Sequence, residues 1–308
     1  MGGYDGDAFH AAYDEVMARW PDDRQVLRVP TEFGTTYVNA CGPRDAPPLL
    51  LLPGGGGATS ASWYAQAALL ASAHRVYAAD LFGAPGRSEA APGRPPRTAA
   101  DLDTWIDALL DGLDELDGRT GFDGRARLDG PDGLRGPGGD GTGGARPISL
   151  GGHSYGGWIA LRYALHAPAR VRRLFLLDPT QCFAGYRPAY LLRALPMLVR
   201  PTPSRVRAFL EWETGGAGLD PGALRLQEAA AGFPAPRPVT GARPDARALL
   251  AVAARSRTHD ARAVAARAEE ALRDVETVVV ADVSHHALPP AASPALDRRL
   301  SDFLAVSG

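Results

Sequence analysis

The sequence contains no lysine, so all 33 of its basic residues are arginine, and they stand against 35 acidic residues. The formal net charge of −2 at pH 7 provides no extended positive field to attract nucleic acid or an anionic membrane. Without lysine the chain also cannot form the Gly-Lys-Ser/Thr ending of a phosphate-binding P-loop. We therefore expect neither nucleic acid nor a membrane as a partner.

Cysteine is equally scarce in this chain. Cys41 and Cys182 are the only two, and their spacing fits neither a disulfide framework nor a zinc site. The first residues carry no basic segment followed by an apolar one, and no apolar run reaches the length of a membrane span. We expect a cytoplasmic protein without a metal or a cofactor, and the sequence carries no sign of its oligomeric state.

Short apolar runs bounded by turn residues recur along the chain. Residues 25–29 and 35–40 alternate in polarity like two strands of a hairpin that turns at 32–34. Six later runs are continuously apolar, as in strands buried on both faces: 49–52, 76–79, 148–150, 174–177, 249–253 and 277–280. Segments with helical character are residues 8–20, 62–73, 99–116, 155–166, 261–272 and 294–304. This alternation predicts an α/β fold, a mostly parallel sheet with helices on both faces.

Two stretches interrupt the alternation. Residues 118–146 contain 11 glycines among 29 residues and few apolar side chains, which predicts a flexible surface loop. Residues 180–245 are helix-like and punctuated by proline, which predicts a cap inserted over one edge of the sheet within a single domain, 1–308. Leucines 191, 192, 195 and 198 recur at helical spacing. We expect them to pack the cap onto the core, with lining of a substrate pocket as the alternative.

The most informative local feature is the segment Gly-His-Ser-Tyr-Gly at residues 152–156. It stands directly between a predicted strand and a predicted helix, which is the context of a nucleophile elbow. In such an elbow Ser154 has a strained backbone, while Gly152 and Gly156 lack side chains because the two arms of the turn nearly touch. The helix that follows aims its N–H groups at the site and favours developing negative charge.

With this elbow, the chain resembles the α/β-hydrolase superfamily from about residue 25 to its C-terminus. Residues 51–57 look like the loop after the family's third strand, with Pro53 where the family often has histidine. Residues 76–88, ending in Gly-Arg-Ser, are similar to the segment after the fourth strand, and we interpret Asp80 and Arg87 there as structural. The resemblance implies an α/β-hydrolase fold with an eight-stranded sheet and a helical cap.

A serine hydroxyl needs a base within hydrogen-bond reach before it can attack a carbonyl at neutral pH. In the family this histidine follows the last core strand, and matching residues 281–286 to that pattern places His285 at the base. His286 is the neighbouring alternative. His153 is expected to pack within the elbow, and the other histidines, His259 among them, carry no comparable context.

The acid that would orient this histidine departs from the usual pattern. The customary position after the seventh strand is held by Ser256, whose neutral hydroxyl cannot stabilise an imidazolium. Asp178 follows the sixth strand, whose end shares an edge with its neighbours, and its Leu-Asp-Pro segment resembles the acid-bearing segment of pancreatic-type lipases. Asp178 is therefore the preferred acid, Asp260 is the alternative, and a missing acid is the third possibility.

The resemblance also implies an oxyanion hole and a reaction. The backbone N–H groups of Gly55 and Tyr155 would hold the oxyanion. The implied protein is a serine hydrolase that cleaves an ester of a small molecule through a Ser154-His285-Asp178 triad and an acyl-enzyme. Amide or carbon–carbon bond cleavage is an alternative on the same fold. A catalytically silent binding or regulatory module is another, suggested by Ser256 in the acidic position.

Overall fold

A computed structural model of the chain describes residues 4–118, 147–215, 219–234, 248–272, 274–290 and 293–305. The predicted glycine-rich loop lies, from residue 119 onward, outside these residues, as do parts of the predicted cap. The strands are β1 (Gln25–Thr31), β2 (Gly34–Cys41), β3 (Pro48–Leu52), β4 (Arg75–Ala79), β5 (Glu89–Ala90), β6 (Ile148–His153), β7 (Val171–Leu177), β8 (Ala248–Ala253) and β9 (Val275–Val280). The helices are α1 (Gly6–Met17), α2 (Tyr64–Leu70), α3 (Ala99–Leu116), α4 (Tyr155–His166), α5 (Pro188–Val199), α6 (Pro203–Thr214), α7 (Pro221–Ala229), α8 (Ala261–Ala271) and α9 (Pro294–Ala305). Within the ranges just given, no helix combines the length and apolar character needed to cross a bilayer.

The strands form one sheet in the order β1-β2-β4-β3-β6-β7-β8-β9, and the two-residue β5 pairs with β2. The pairings that link β4, β3, β6, β7, β8 and β9 are parallel. The β1–β2 hairpin and the β2–β4 pairing are antiparallel. The predicted mostly parallel sheet of the α/β-hydrolase fold is therefore confirmed. The sequence did not reveal β5, because two exposed residues carry no periodicity.

Successive side chains of the buried strands enter two different cores. In β3, Leu50 and Leu52 pack into the cluster on the side of α3, α4 and α8, while Leu49 and Leu51 pack into the cluster on the side of α1, α2 and α9. All four leucines are fully buried. Each contributes about 1.5–3 kcal/mol of burial free energy, which is why a continuous apolar run forms a strand covered on both faces.

Three helices, α5, α6 and α7, lie between β7 and β8, where the cap is predicted. A small core of their own, built on Val206, Phe209 and Leu210 of α6 and Ala194 of α5, holds them together. This cap places α6 beside the turn that contains His285.

The leucines of α5 correct one expectation. Leucines 191, 192, 195 and 198 are 46% to 73% exposed instead of packing the cap onto the core. The buried residue of α5 is Ala194, on the face turned toward the rest of the cap. Helical spacing identifies one apolar face of a helix but not the surface that this face meets.

The carboxyl ends of the last four strands position the site. The final residues of β6 and β7 are paired with each other, and so are those of β8 and β9. The residues that follow parallel strands lie at one edge of the sheet. Ser154, Asp178 and the loops 254–260 and 281–287 therefore lie together at this edge.

Candidate active site

Ser154 occupies the sharp turn between β6 and α4. Its φ of 53° lies in the left-handed region, where a residue with a side chain is strained, and it is only 9% exposed. A Cβ on Gly152 would lie 2.3 Å from the carbonyl oxygen of Gly156, and a Cβ on Gly156 would lie 2.3 Å from that of Leu52. The turn therefore requires glycine on both sides of the serine.

The structure brings the imidazole of His285 to this hydroxyl. Nε2 of His285 lies 3.0 Å from Oγ of Ser154, and the ring is almost completely buried. The neighbouring histidine is directed to a different group, because Nδ1 of His286 lies 3.3 Å from Oε2 of Glu213. Of the two histidines that the sequence left open, His285 is the one in contact with Ser154.

Asp178 lies on the opposite side of the same imidazole. Its Oδ2 is 2.6 Å from Nδ1 of His285, and its Oδ1 accepts the main-chain N–H of Ala253 at 3.1 Å. The carboxylate is fully buried and directly follows β7. Asp260 takes another position, since its carboxylate caps α8 and pairs with Arg187 at 2.9 Å. The structure therefore brings Asp178 to His285 and keeps Asp260 away.

Electrostatics favour an ionised Asp178 beside a neutral His285. Burial opposes ionisation of Asp178, but hydrogen bonds from His259 and His285 outweigh it and hold the pKa of the carboxyl below its usual range. Burial lowers the pKa of His285 despite the opposing contact with Asp178. Because a carboxylate only accepts hydrogen bonds, Nδ1 of His285 carries the proton and Nε2 presents a lone pair to Ser154.

Two further buried groups in this site were missed by the sequence reasoning. Nε2 of His259 lies 2.8 Å from Oδ1 of Asp178, so one carboxylate faces two imidazoles. Glu213 of α6 accepts the main-chain N–H groups of His285 and His286, each at 3.2 Å. Neither His259 nor Glu213 belongs to a sequence motif. Only the three-dimensional positions of β8 and of the cap bring these two residues to the site.

His153, as expected, packs within the elbow. Its Nε2 lies 3.1 Å from the carbonyl oxygen of His285. Burial, aided by the proximity of the His285 imidazole, lowers the pKa of His153 to about 3, so its ring is neutral and donates a hydrogen to that carbonyl. The main chain of His285 is therefore held by the elbow itself.

The glycine-rich loop after β3 lies next to the elbow that contains Ser154. A Cβ on Gly55 would lie 3.6 Å from the Cβ of Tyr155, and the two residues share with Ser154 the wall of one cavity. Tyr155 is the first residue of α4, where the helix dipole favours negative charge. The two main-chain amides expected to hold an oxyanion thus belong to segments that meet beside Ser154.

The cavity beside Ser154 has a volume of about 330 Å³. Its wall is mostly apolar and aromatic. Tyr155 and Trp158, both from α4, stack their rings on each other, and α5 contributes Tyr190 and Leu191. The described residues that line it include no arginine and no carboxylate. The space is therefore suited to a neutral, apolar group of a small molecule.

A serine at a strand–helix elbow, contacted by a buried imidazole at the edge of a mostly parallel sheet, defines the α/β-hydrolase class of protein. The chain belongs to the alpha/beta hydrolase family, whose model matches residues 49–298.

Two curated proteins of Bacillus subtilis (strain 168) are similar in sequence. Carboxylesterase YbfK is 29% identical over 208 residues, which are 67% of this chain and 58% of that protein. The uncharacterized carboxylesterase nap is 27% identical over 207 residues, 67% of this chain and 57% of that protein. The chain thus matches less than two thirds of the length of either relative.

Two solved structures are similar to this chain in fold. The crystal structure of naproxen esterase from Bacillus subtilis has a TM-score of 0.78 at 23% identity and covers 99% of this chain and 100% of that one. The crystal structure of carboxylesterase CesB (YbfK) has a TM-score of 0.77 at 23% identity and covers 97% and 98%. At this identity the likeness establishes the fold.

Proposed function

We propose that the protein is a serine carboxylesterase in which Ser154, His285 and Asp178 form the catalytic triad. The observation that carries this proposal is the continuous contact from Oγ of Ser154 to Nε2 of His285, at 3.0 Å, and from Nδ1 of His285 to Asp178, at 2.6 Å. The similarity to curated carboxylesterases supports an ester as the substrate.

Acylation begins with transfer of the Ser154 proton to Nε2 of His285 as Oγ attacks the ester carbonyl. The carbonyl oxygen becomes an oxyanion, which accepts hydrogen bonds from the main-chain amides of Gly55 and Tyr155. His285 then gives its proton to the departing alcohol, and the acyl group remains on Oγ of Ser154. Asp178 holds the imidazole in the tautomer that this sequence of transfers requires.

Deacylation repeats these steps with water in place of the serine. His285 takes a proton from water, the resulting hydroxide attacks the acyl carbonyl, and Oγ of Ser154 leaves with the proton that His285 returns. The products are a carboxylic acid and the free enzyme. Every proton in this cycle is carried by His285, so the cycle requires no metal or cofactor.

The cavity favours one class of ester. A volume of about 330 Å³, stacked aromatic walls and the absence of arginine and carboxylates from the described lining residues favour a neutral apolar group over a charged one. We therefore propose small-molecule esters with an apolar acyl or alcohol part as substrates. A panel of nitrophenyl esters that differ in acyl length and charge would rank these preferences through kcat/KM.

A fluorophosphonate probe tests the proposed function, because it reacts with a serine only when the serine is activated as a nucleophile. We expect stoichiometric labelling of the folded protein and none in the Ser154→Ala variant. Nitrophenyl ester hydrolysis should be lost in the same variant. Folded protein that takes up no label and hydrolyses no ester would contradict the proposal.

A further inference from the structure

Glu213 is a buried carboxylate that the reaction above does not use. It lies in the last turn of α6, in the cap, and is only 1% exposed. A buried ionised carboxylate is strongly unfavourable unless donors compensate it, so its position needs a physical reason. That reason is found in the contacts that it makes outside the cap.

The carboxylate receives hydrogen bonds from two loops at the edge of the sheet. Its Oε1 accepts the main-chain N–H of His285 at 3.2 Å and that of Arg257 at 3.4 Å. Its Oε2 accepts the main-chain N–H of His286 at 3.2 Å and also lies 3.3 Å from Nδ1 of that residue. Glu213 thus joins the cap to the histidine-bearing loop through hydrogen bonds.

The surroundings of Glu213 keep its carboxylate ionised. Burial raises the pKa of Glu213, but its contacts with His286, and after them those with His285 and Ser284, outweigh burial and bring the pKa of the carboxyl to about 2. Hydrogen bonds to an ionised acceptor are roughly twice as strong as those between neutral groups. The attachment between cap and loop is therefore strong at the neutral pH of an esterase assay.

His285 is held at both of its peptide groups. Glu213 accepts from its N–H, and the ring of His153 donates to its carbonyl oxygen at 3.1 Å. Its imidazole must simultaneously keep contacts of 3.0 Å with Ser154 and 2.6 Å with Asp178. Fixing the main chain on both sides leaves only the side-chain torsions to be set by these two contacts, which limits the freedom of the ring.

We propose that Glu213 is a positioning residue of the cap, which anchors the main chain of His285 so that its imidazole stays aligned between Ser154 and Asp178. The inference rests on the proposed function, in which His285 is the base. The cap then has two tasks, because the element that walls the substrate cavity also holds the base in register with the nucleophile. Displacement of α6 would disturb the base even if the Ser154 elbow stayed in place.

The test compares Glu213→Gln with Glu211→Gln, an exposed position on the same helix. The glutamine amide keeps the size of the side chain but offers one acceptor oxygen, and its NH₂ group then faces a main-chain N–H donor. We expect kcat and the second-order rate of fluorophosphonate labelling to fall about 10- to 100-fold in Glu213→Gln. KM for a short nitrophenyl ester should change by less than about threefold, and Glu211→Gln should match the wild type.

The end point of labelling separates positioning from a merely structural role. A positioning role slows the reaction but still leaves one label per chain at completion. A structural role lowers the labelled fraction while the remaining molecules react at the wild-type rate, and that result would overturn the inference. Labelling of Glu213→Gln at the wild-type rate would overturn it as well.

Should Glu213→Gln not fold, Glu213→Asp replaces it, since aspartate keeps the charge but withdraws the carboxylate by one methylene, and the same two readouts apply. Should the wild-type protein itself take up no label, the proposed function fails and this inference fails with it. A labelled wild type beside an equally fast Glu213→Gln variant contradicts this inference alone.

Discussion

Replacing Asp178 with asparagine should inactivate the protein through the tautomer of His285. Oδ1 of Asp178 accepts the main-chain N–H of Ala253, which is a fixed donor, and also faces Nε2 of His259. In Asp178→Asn the amide oxygen must therefore take this position, and the NH₂ group is turned toward Nδ1 of His285. Nδ1 then has to accept, the ring proton moves to Nε2, and the imidazole cannot take the proton of Ser154.

The corresponding change in a serine protease triad lowers turnover by about 10⁴-fold, and we expect a loss of kcat/KM of that order here. Converted at ~1.36 kcal/mol per tenfold, this is about 5.5 kcal/mol of transition-state stabilisation. The assay is kcat/KM for a nitrophenyl ester at neutral pH, with thermal unfolding to verify that the variant folds.

The matched control is Asp260→Asn. That side chain is exposed and caps α8, and asparagine is an equally good helix cap, so activity should stay within about twofold of the wild type. A folded Asp178→Asn variant within tenfold of the wild type would refute the tautomer argument. If Asp260→Asn were inactive instead, Asp260 would be the acid and the assignment of Asp178 would be wrong.

Three further predictions concern the elbow, the base and the thiols. Gly156→Ala places a Cβ 2.3 Å from a main-chain carbonyl oxygen, so we expect a lower melting temperature and an activity reduced at least about tenfold. An unchanged melting temperature and activity would contradict the geometry of the elbow. Burial lowers the pKa of His285 below its ordinary value of 6.5, so the imidazole stays neutral until the pH falls below 6.5. We therefore expect kcat/KM to decline only below pH 6.5. A decline centred above pH 6.5 would contradict the lowered pKa. Burial raises the pKa of Cys41 and Cys182 to about 12, so intact mass should reveal no alkylation by iodoacetamide in the folded protein, whereas rapid modification would disprove their burial.

Much of the fold could be predicted because its signal is local. The run at residues 49–52 consists of four leucines that alternate between two cores, and only a strand covered on both faces accommodates such a run. The spacing of α5 was equally clear, but the preferred interpretation, packing onto the core, was wrong, and Leu191 and Leu198 line the cavity as in the alternative. Periodicity identifies which side chains share a face, whereas the surface that the face meets depends on how distant helices pack.

The site was predictable to the extent that each group lies next to a strand end. Ser154 follows β6 within a motif, Asp178 follows β7, and His285 lies shortly after β9. His259 and Glu213 could not be found in this way. Glu213 is 72 positions from His285 in the chain, and it reaches the site only because α6 of the cap packs over the histidine loop.

The prediction of a single domain over residues 1–308 and of a cytoplasmic location stays a prediction. The predicted flexibility of the glycine-rich segment 118–146, which lies outside the described residues from 119 onward, likewise stays a prediction.

Trapping the covalent intermediate reveals whether Ser154 carries the acyl group during turnover. Hydrolysis of a nitrophenyl ester can be stopped by acid during the first turnovers, and the protein can then be digested and its peptides weighed. We expect a transient mass increase equal to one acyl group on the peptide that contains Ser154, and no increase in Ser154→Ala. An acyl group on a different residue, or ester hydrolysis by Ser154→Ala at the wild-type rate, would contradict the proposed role of Ser154.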